Sequence, residues 1–120
     1  MKTACPMTLD ELRERLRRFA AARDWDQYHS PKNLASALIV EAAELVEHFQ
    51  WLTEDESKSL PVAELARVRE EMADVLIYLV RLADKLDVDL LAAAREKMEK
   101  NALKYPAEKA RGNSRKYSDL

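Results

Sequence analysis

The stretch EEMADVLIYLV, Glu70 to Val80, decides the fold. Acids occupy its first half, and Val75 to Val80 is continuously apolar. Pro61 can open a helix through this stretch, and Asp87-Val88-Asp89 breaks it, so a long helix is predicted over Pro61 to Leu86. A helix that is apolar all round is normally surrounded by protein. Three companion helices of similar length would hardly cover VLIYLV, so a homo-oligomer is expected.

Outward from that helix the same period recurs. Ser30-Pro31 reads as an N-cap followed by Pro at the first helical position, opening a helix over Pro31 to Trp51. Thr53 to Ser59 is polar and reads as a linker. Leu9, Leu12, Leu16, Phe19 and Ala20 recur at helical spacing. Thr8 with Glu11 has the form of a capping box, so a first helix is predicted from Leu9 to Arg23. Asp24 to His29 (DWDQYH) lacks a helical period and reads as a loop. Asp89 can cap a fourth helix that ends near Lys104, where Tyr105-Pro106 stops it. The expectation is an all-α, antiparallel four-helix bundle over residues 1–106, followed by a polar tail over 107–120.

The composition agrees. The chain has 120 residues, enough for one domain, and a single Gly, far too few for a sheet with tight turns. The formal net charge of -2 argues against a nucleic-acid polymer as partner. It leaves room for a phosphorylated small molecule, since bound cations supply positive charge. The lone Cys5 fits a reducing compartment. With no secretory h-region and no apolar run of about 20 residues, a cytoplasmic protein is expected rather than a membrane one.

Two acidic pairs carry the chemistry. Glu41 and Glu44 share a face of the second helix, and Glu71 and Asp74 share a face of the third. Both pairs sit in apolar surroundings, where unpaired carboxylates are poorly tolerated. On adjacent antiparallel helices they would bring four carboxylates together. Lys or Arg from elsewhere can neutralise such a group, and so can a hard divalent cation with oxygen ligands. Magnesium suits because it bridges carboxylates to phosphates, and manganese also fits. Taken alone, one such pair is most often a solvated helix face. Glu47 and Glu70 offer alternative registers that spacing does not resolve. A metal site of this kind can hold a nucleoside triphosphate and lower the pKa of a bound water. A spare carboxylate can orient that water.

Trp25, Tyr28 and His29 precede the second helix, Trp51 follows it, and Tyr78 lies one turn beyond Asp74. Aromatic faces stack on bases; ordinary core packing is the competing role of each. A single His such as His29 is more often structural than a ligand contact, and His48 is read as structural. Arg95, Lys97, Lys100 and Lys104 with Asn101, and Arg111, Arg115 and Lys116 in the tail, form a solvated basic face or contact phosphate.

The segments FAAARDWDQYHSPKN (Phe19 to Asn33), EAAELVEHFQW (Glu41 to Trp51), EEMADVLIYLV and KYPAEKARGNSRKYSDL resemble the MazG-like, all-α nucleotide pyrophosphohydrolases. They look like the dCTP pyrophosphatase branch, over nearly the whole chain. The resemblance implies Glu41, Glu44, Glu71 and Asp74 as magnesium ligands, with Glu44 or Glu47 helping to position water. It implies Trp25, Asp26, Gln27, Tyr28, His29, Trp51 and Tyr78 as lining for the base and sugar. Lys97 and Asn101 would face the triphosphate. It also implies a homotetramer, a dimer of dimers with sites between subunits. Two features depart from it: the linker between the second and third helices is a little shorter, and Leu16 stands where the branch carries a substrate-contacting His.

The expected reaction is hydrolysis of dCTP, or a 5-modified dCTP, to the monophosphate and pyrophosphate. The alternatives are dUTP or broad NTP hydrolysis, and a helical interaction module without catalysis. A di-iron carboxylate bundle is disfavoured, since such sites use Glu-x-x-His and no Glu here has a His three residues later.

Overall fold

The computed structural model of the chain describes residues 6 to 114. Cys5, Arg115 and Lys116 lie outside the described residues. Within them the regular structure is helical, with no strand. The helices are α1 (Leu9–Ala22), α2 (Pro31–Glu47), α3 (Glu54–Ser57), α4 (Val62–Lys85), α5 (Leu90–Lys104) and α6 (Ala107–Ala110), with a 3-10 turn at Asp26–Tyr28. The all-α expectation holds. No helix among the described residues is long and apolar enough to cross a membrane.

The chain forms two compact units, one ending at Asp87 and one beginning at Val88. The first contains three of the four long helices predicted from sequence. The fourth, α5, belongs to the second unit with α6. In the first unit α4 is the centre, packed against both α2 and α1. Leu34 of α2 is the largest fully buried side chain, at 1% exposed, and shares the core with Ala20, Val68, Val80 and Ala83. Burying a leucine of this kind stabilises by about 1.5–3 kcal/mol.

Local signals set the helix ends. The Thr8 hydroxyl accepts from the Glu11 amide at 3.1 Å, and Ser30 accepts from Asn33 at 3.2 Å. Asp89 caps α5 by accepting from Ala92 at 3.0 Å. After α1 the backbone turns through Asp24 at φ 54°. The Trp25 amide bonds back to the Ala20 carbonyl at 2.9 Å and Asp24 to Ala21 at 3.2 Å. This is a Schellman closure, with Asp in the left-handed place that glycine usually takes. It throws Trp25 off the helix axis and starts the 3-10 turn.

Two boundaries differ from the sequence reading. The helix expected to reach Trp51 stops at Glu47, because the chain tightens to three-residue bonds: His48 to Leu45 at 3.3 Å and Phe49 to Val46 at 2.9 Å. The stretch read as a linker contains α3. There Thr53 and Glu56 form a reciprocal capping box, with bonds of 3.1 and 2.9 Å. Within the part of 107–120 that is described, Pro106 precedes the short α6.

Candidate functional site

The seam between α2 and α4 gathers acids. Glu41 and Glu44 are one turn apart on α2, and Glu71 faces them from α4. One carboxylate oxygen from each lies within 4.8 Å of the others. All three side chains are half-buried. Full charges at that separation repel by about 3 kcal/mol per pair at an effective dielectric near 20. Glu41 registers the crowding: its pKa is pushed from 4.5 to about 7, first by burial, then by hydrogen-bonding proximity to Glu44 and Glu71, then by the charges of Glu44 and Asp74. Asp74 therefore acts on the cluster electrostatically while standing outside its closest group.

The acids are short of partners. Glu41 Oε2 and Glu71 Oε2 are buried and accept no hydrogen bond. Arg17 and Arg81 pair with Asp84, Lys85 with Asp26, and Arg67 with Glu64. Buried oxygens without donors, set among like charges, form the donor set that a hard divalent cation satisfies. The residues present fit such an ion.

His48, read from sequence as structural, lies at the edge of this cluster. Its Nδ1 is 2.5 Å from Glu64 Oε1, and its Nε2 is 3.8 Å from Glu71 Oε1. The hydrogen bond from His48 holds the Glu64 carboxyl below its ordinary value. Sequence reasoning missed Glu64, although it lies two helical turns before Glu71 on the same face of α4.

The other candidate residues are placed as follows. Trp25 meets Phe19 edge-on, ring centroids 5.7 Å apart, at the end of α1. Tyr28 is 61% exposed on the 3-10 turn. Gln27 donates to both the carbonyl and the carboxylate of Asp24 at 3.0 Å, bracing the turn. Asn33 Nδ2 donates to the Tyr28 carbonyl at 3.0 Å, tying the turn to the start of α2. Asp26 and His29 both bond to Arg81 of α4. Tyr78 is half-buried on α4. Glu47 and Trp51 line an open recess with His48, Leu52, Leu60 and Pro61. Trp51 is 87% exposed there, so core packing does not account for it. Lys97 and Asn101 are exposed, four residues apart, on one face of α5. Leu16 is half-buried on α1.

Arg81 was also missed. Its signal in the sequence was a cation directly after the apolar run VLIYLV, within a helix predicted to be buried.

A family model for the MazG-like family matches residues 37–120. The chain is 48% identical over 115 residues to human dCTP pyrophosphatase 1, covering 94% of this chain and 68% of that protein. The mouse dCTP pyrophosphatase 1 is 46% identical over the same shares. The crystal structure of a pyrophosphatase from Archaeoglobus fulgidus superposes with a TM-score of 0.74 at 42% identity, covering 88% of this chain and 99% of that one.

Proposed function

The chain belongs to the MazG-like family, and from this we propose that it is a dCTP pyrophosphohydrolase with its centre on the α2/α4 acidic seam. Water attacks the α-phosphorus of dCTP, the bond from that phosphorus to the bridging oxygen breaks, and dCMP and pyrophosphate leave. The observation that carries the location is the convergence of Glu41, Glu44 and Glu71 with two buried, unpartnered carboxylate oxygens.

Glu41, Glu44, Glu71 and Asp74 would hold magnesium, with manganese a chemically equivalent substitute. When bound, the cation neutralises the triphosphate and makes the attacked phosphorus more electrophilic. The chain's own side chains do the rest. A carboxylate oxygen of Glu44 or Glu47 orients the attacking water and accepts its proton. Trp25, Asp26, Gln27, Tyr28, His29, Trp51 and Tyr78 line the base and sugar, the exposed rings offering stacking faces. Lys97 and Asn101 of α5 are assigned to phosphate on the family resemblance alone.

In this proposal the pocket is completed by a second copy in a homotetramer. The apolar side chains left exposed on α2 and α4 support that assembly. The finer choice is dCTP or a 5-modified dCTP over dUTP.

The test is a panel of nucleoside triphosphates assayed for pyrophosphate release with magnesium and with chelator. dCTP and its 5-modified forms should be turned over fastest, and only with magnesium. Equal rates on dUTP and the ribonucleotides would move the assignment to a broad-specificity enzyme. No release from any of them would refute it.

A further inference from the structure

Arg81 is the one charged residue in the buried core of the described residues, 3% exposed near the end of α4. Its Nε and Nη2 lie 3.3 and 3.2 Å from Nδ1 of His29. Nη2 also donates to Asp26 Oδ1 at 3.0 Å, and Nη1 is 3.6 Å from Asp84 Oδ2. A buried guanidinium is costly unless its donors are used, and here they reach both ends of the 26–29 segment.

The chemistry of that contact fixes a proton. Guanidinium nitrogens donate and cannot accept. The His29 Nδ1 that they face must therefore be the accepting, unprotonated nitrogen. The ring proton of neutral His29 then sits on Nε2, which remains a donor. Protonating Nδ1 would set an N–H against the guanidinium. The charged groups facing His29 are Arg81, Lys85 and Asp26; burial and the two cations lower its pKa, and Asp26 opposes them.

We propose that Arg81 is a positioning residue for the nucleotide site. It clamps the Asp26–His29 turn to α4 and fixes His29 as the neutral Nε2–H tautomer, so that His29 offers a hydrogen-bond donor to an acceptor atom of the nucleotide. The proposal rests on the placement of Trp25 to His29 in the pocket given above. It also gives a donor to a pocket in which Leu16 supplies none.

The test combines spectroscopy and kinetics on the full chain. Long-range proton–nitrogen correlation spectra at pH 7, assigned with His29→Ala, read the His29 tautomer. Wild type should show His29 neutral with its proton on Nε2. In Arg81→Met the preference should be lost and the His29 pKa should rise. KM for dCTP should increase by about 3- to 10-fold, the effect of a lost hydrogen bond, with kcat little changed. His29→Ala should raise KM similarly, without a further rise in the double variant.

Arg81→Met keeps length, and Asp26 and Asp84 retain Lys85 and Arg17, so the unit has what it needs to fold. Circular dichroism checks that. Should it not fold, Arg81→Gln, whose amide oxygen can accept as well as its nitrogen donate, replaces it, and the wild-type spectrum is decisive by itself. A His29 protonated on Nδ1, or a spectrum unchanged by Arg81→Met, overturns the clamp. The expected spectra with KM unmoved in both variants would overturn the role in binding, and with it the placement of His29 in the pocket. Loss of the acidic-seam activity assignment would show instead as absent turnover in wild type.

Discussion

Glu41 is where the burial of the acidic seam is felt most strongly. Its pKa near 7 means that, without a cation, it is largely protonated at pH 6. The folded state then binds a proton more tightly than the unfolded one. Cation-free stability should accordingly fall as pH rises from about 4.5 to about 7, and added magnesium should reverse the loss. A cation requires the carboxylate, so binding at pH 6 should release close to one proton, and affinity should weaken by up to about tenfold per pH unit below 7. Calorimetry in two buffers of different ionisation enthalpy measures this; identical heats in both would contradict it. Part of this was legible in the sequence. The i, i+3 spacing of Glu41 with Glu44 and of Glu71 with Asp74 follows from the helix repeat. The choice of Glu71 over Glu70 did not, because only the rotation of α4 against α2 selects one register. The pairing of His48 with Glu64 was hidden for the same reason: the two lie sixteen positions apart in sequence, with α3 between them, and meet only in space.

The α2/α4 seam holds its acids in place through apolar packing. Leu34 of α2 is fully buried and should cost about 2–5 kcal/mol when truncated to Ala, measured by urea unfolding at fixed protein concentration. A loss below about 1 kcal/mol would mean that the packing closes without it. The helices themselves were readable because their caps are local: Thr8, Ser30 and Asp89 each act on an amide three residues on. The end of α2 was not readable, since nothing in HFQW breaks a helix by propensity. The chain tightens there while the His48 ring reaches across to Glu64. The capping box of α3 was visible as Thr53-x-x-Glu56, but its four-residue length hid it in a segment that otherwise looks like a linker.

The molecule leaves a surplus of apolar surface. Leu65, Met72, Leu76 and Leu79 recur along one face of α4, and Ile39 and Val46 along α2, each more than a third exposed. A monomer seldom shows a contiguous patch of that kind. Of the apolar run VLIYLV, Leu76 and Leu79 belong to this face, while Val80 is buried in the core. In the proposed homo-oligomer, Leu76→Lys should place a charge in the interface and shift the assembly toward monomer. Sedimentation velocity at micromolar concentration measures it. A wild-type monomer would refute the assembly.

The activity and its site meet in one assay. Wild type and Glu71→Gln are compared for dCTP turnover across a magnesium titration, with dCMP and pyrophosphate quantified together. Wild type should form both products in equal amounts only when magnesium is present. Glu71→Gln should keep its helical circular dichroism and lose turnover by at least about 100-fold, beyond the 10- to 100-fold usual for groups outside the metal's own ligands. Full activity in the variant, or orthophosphate in place of pyrophosphate from wild type, would contradict the assignment.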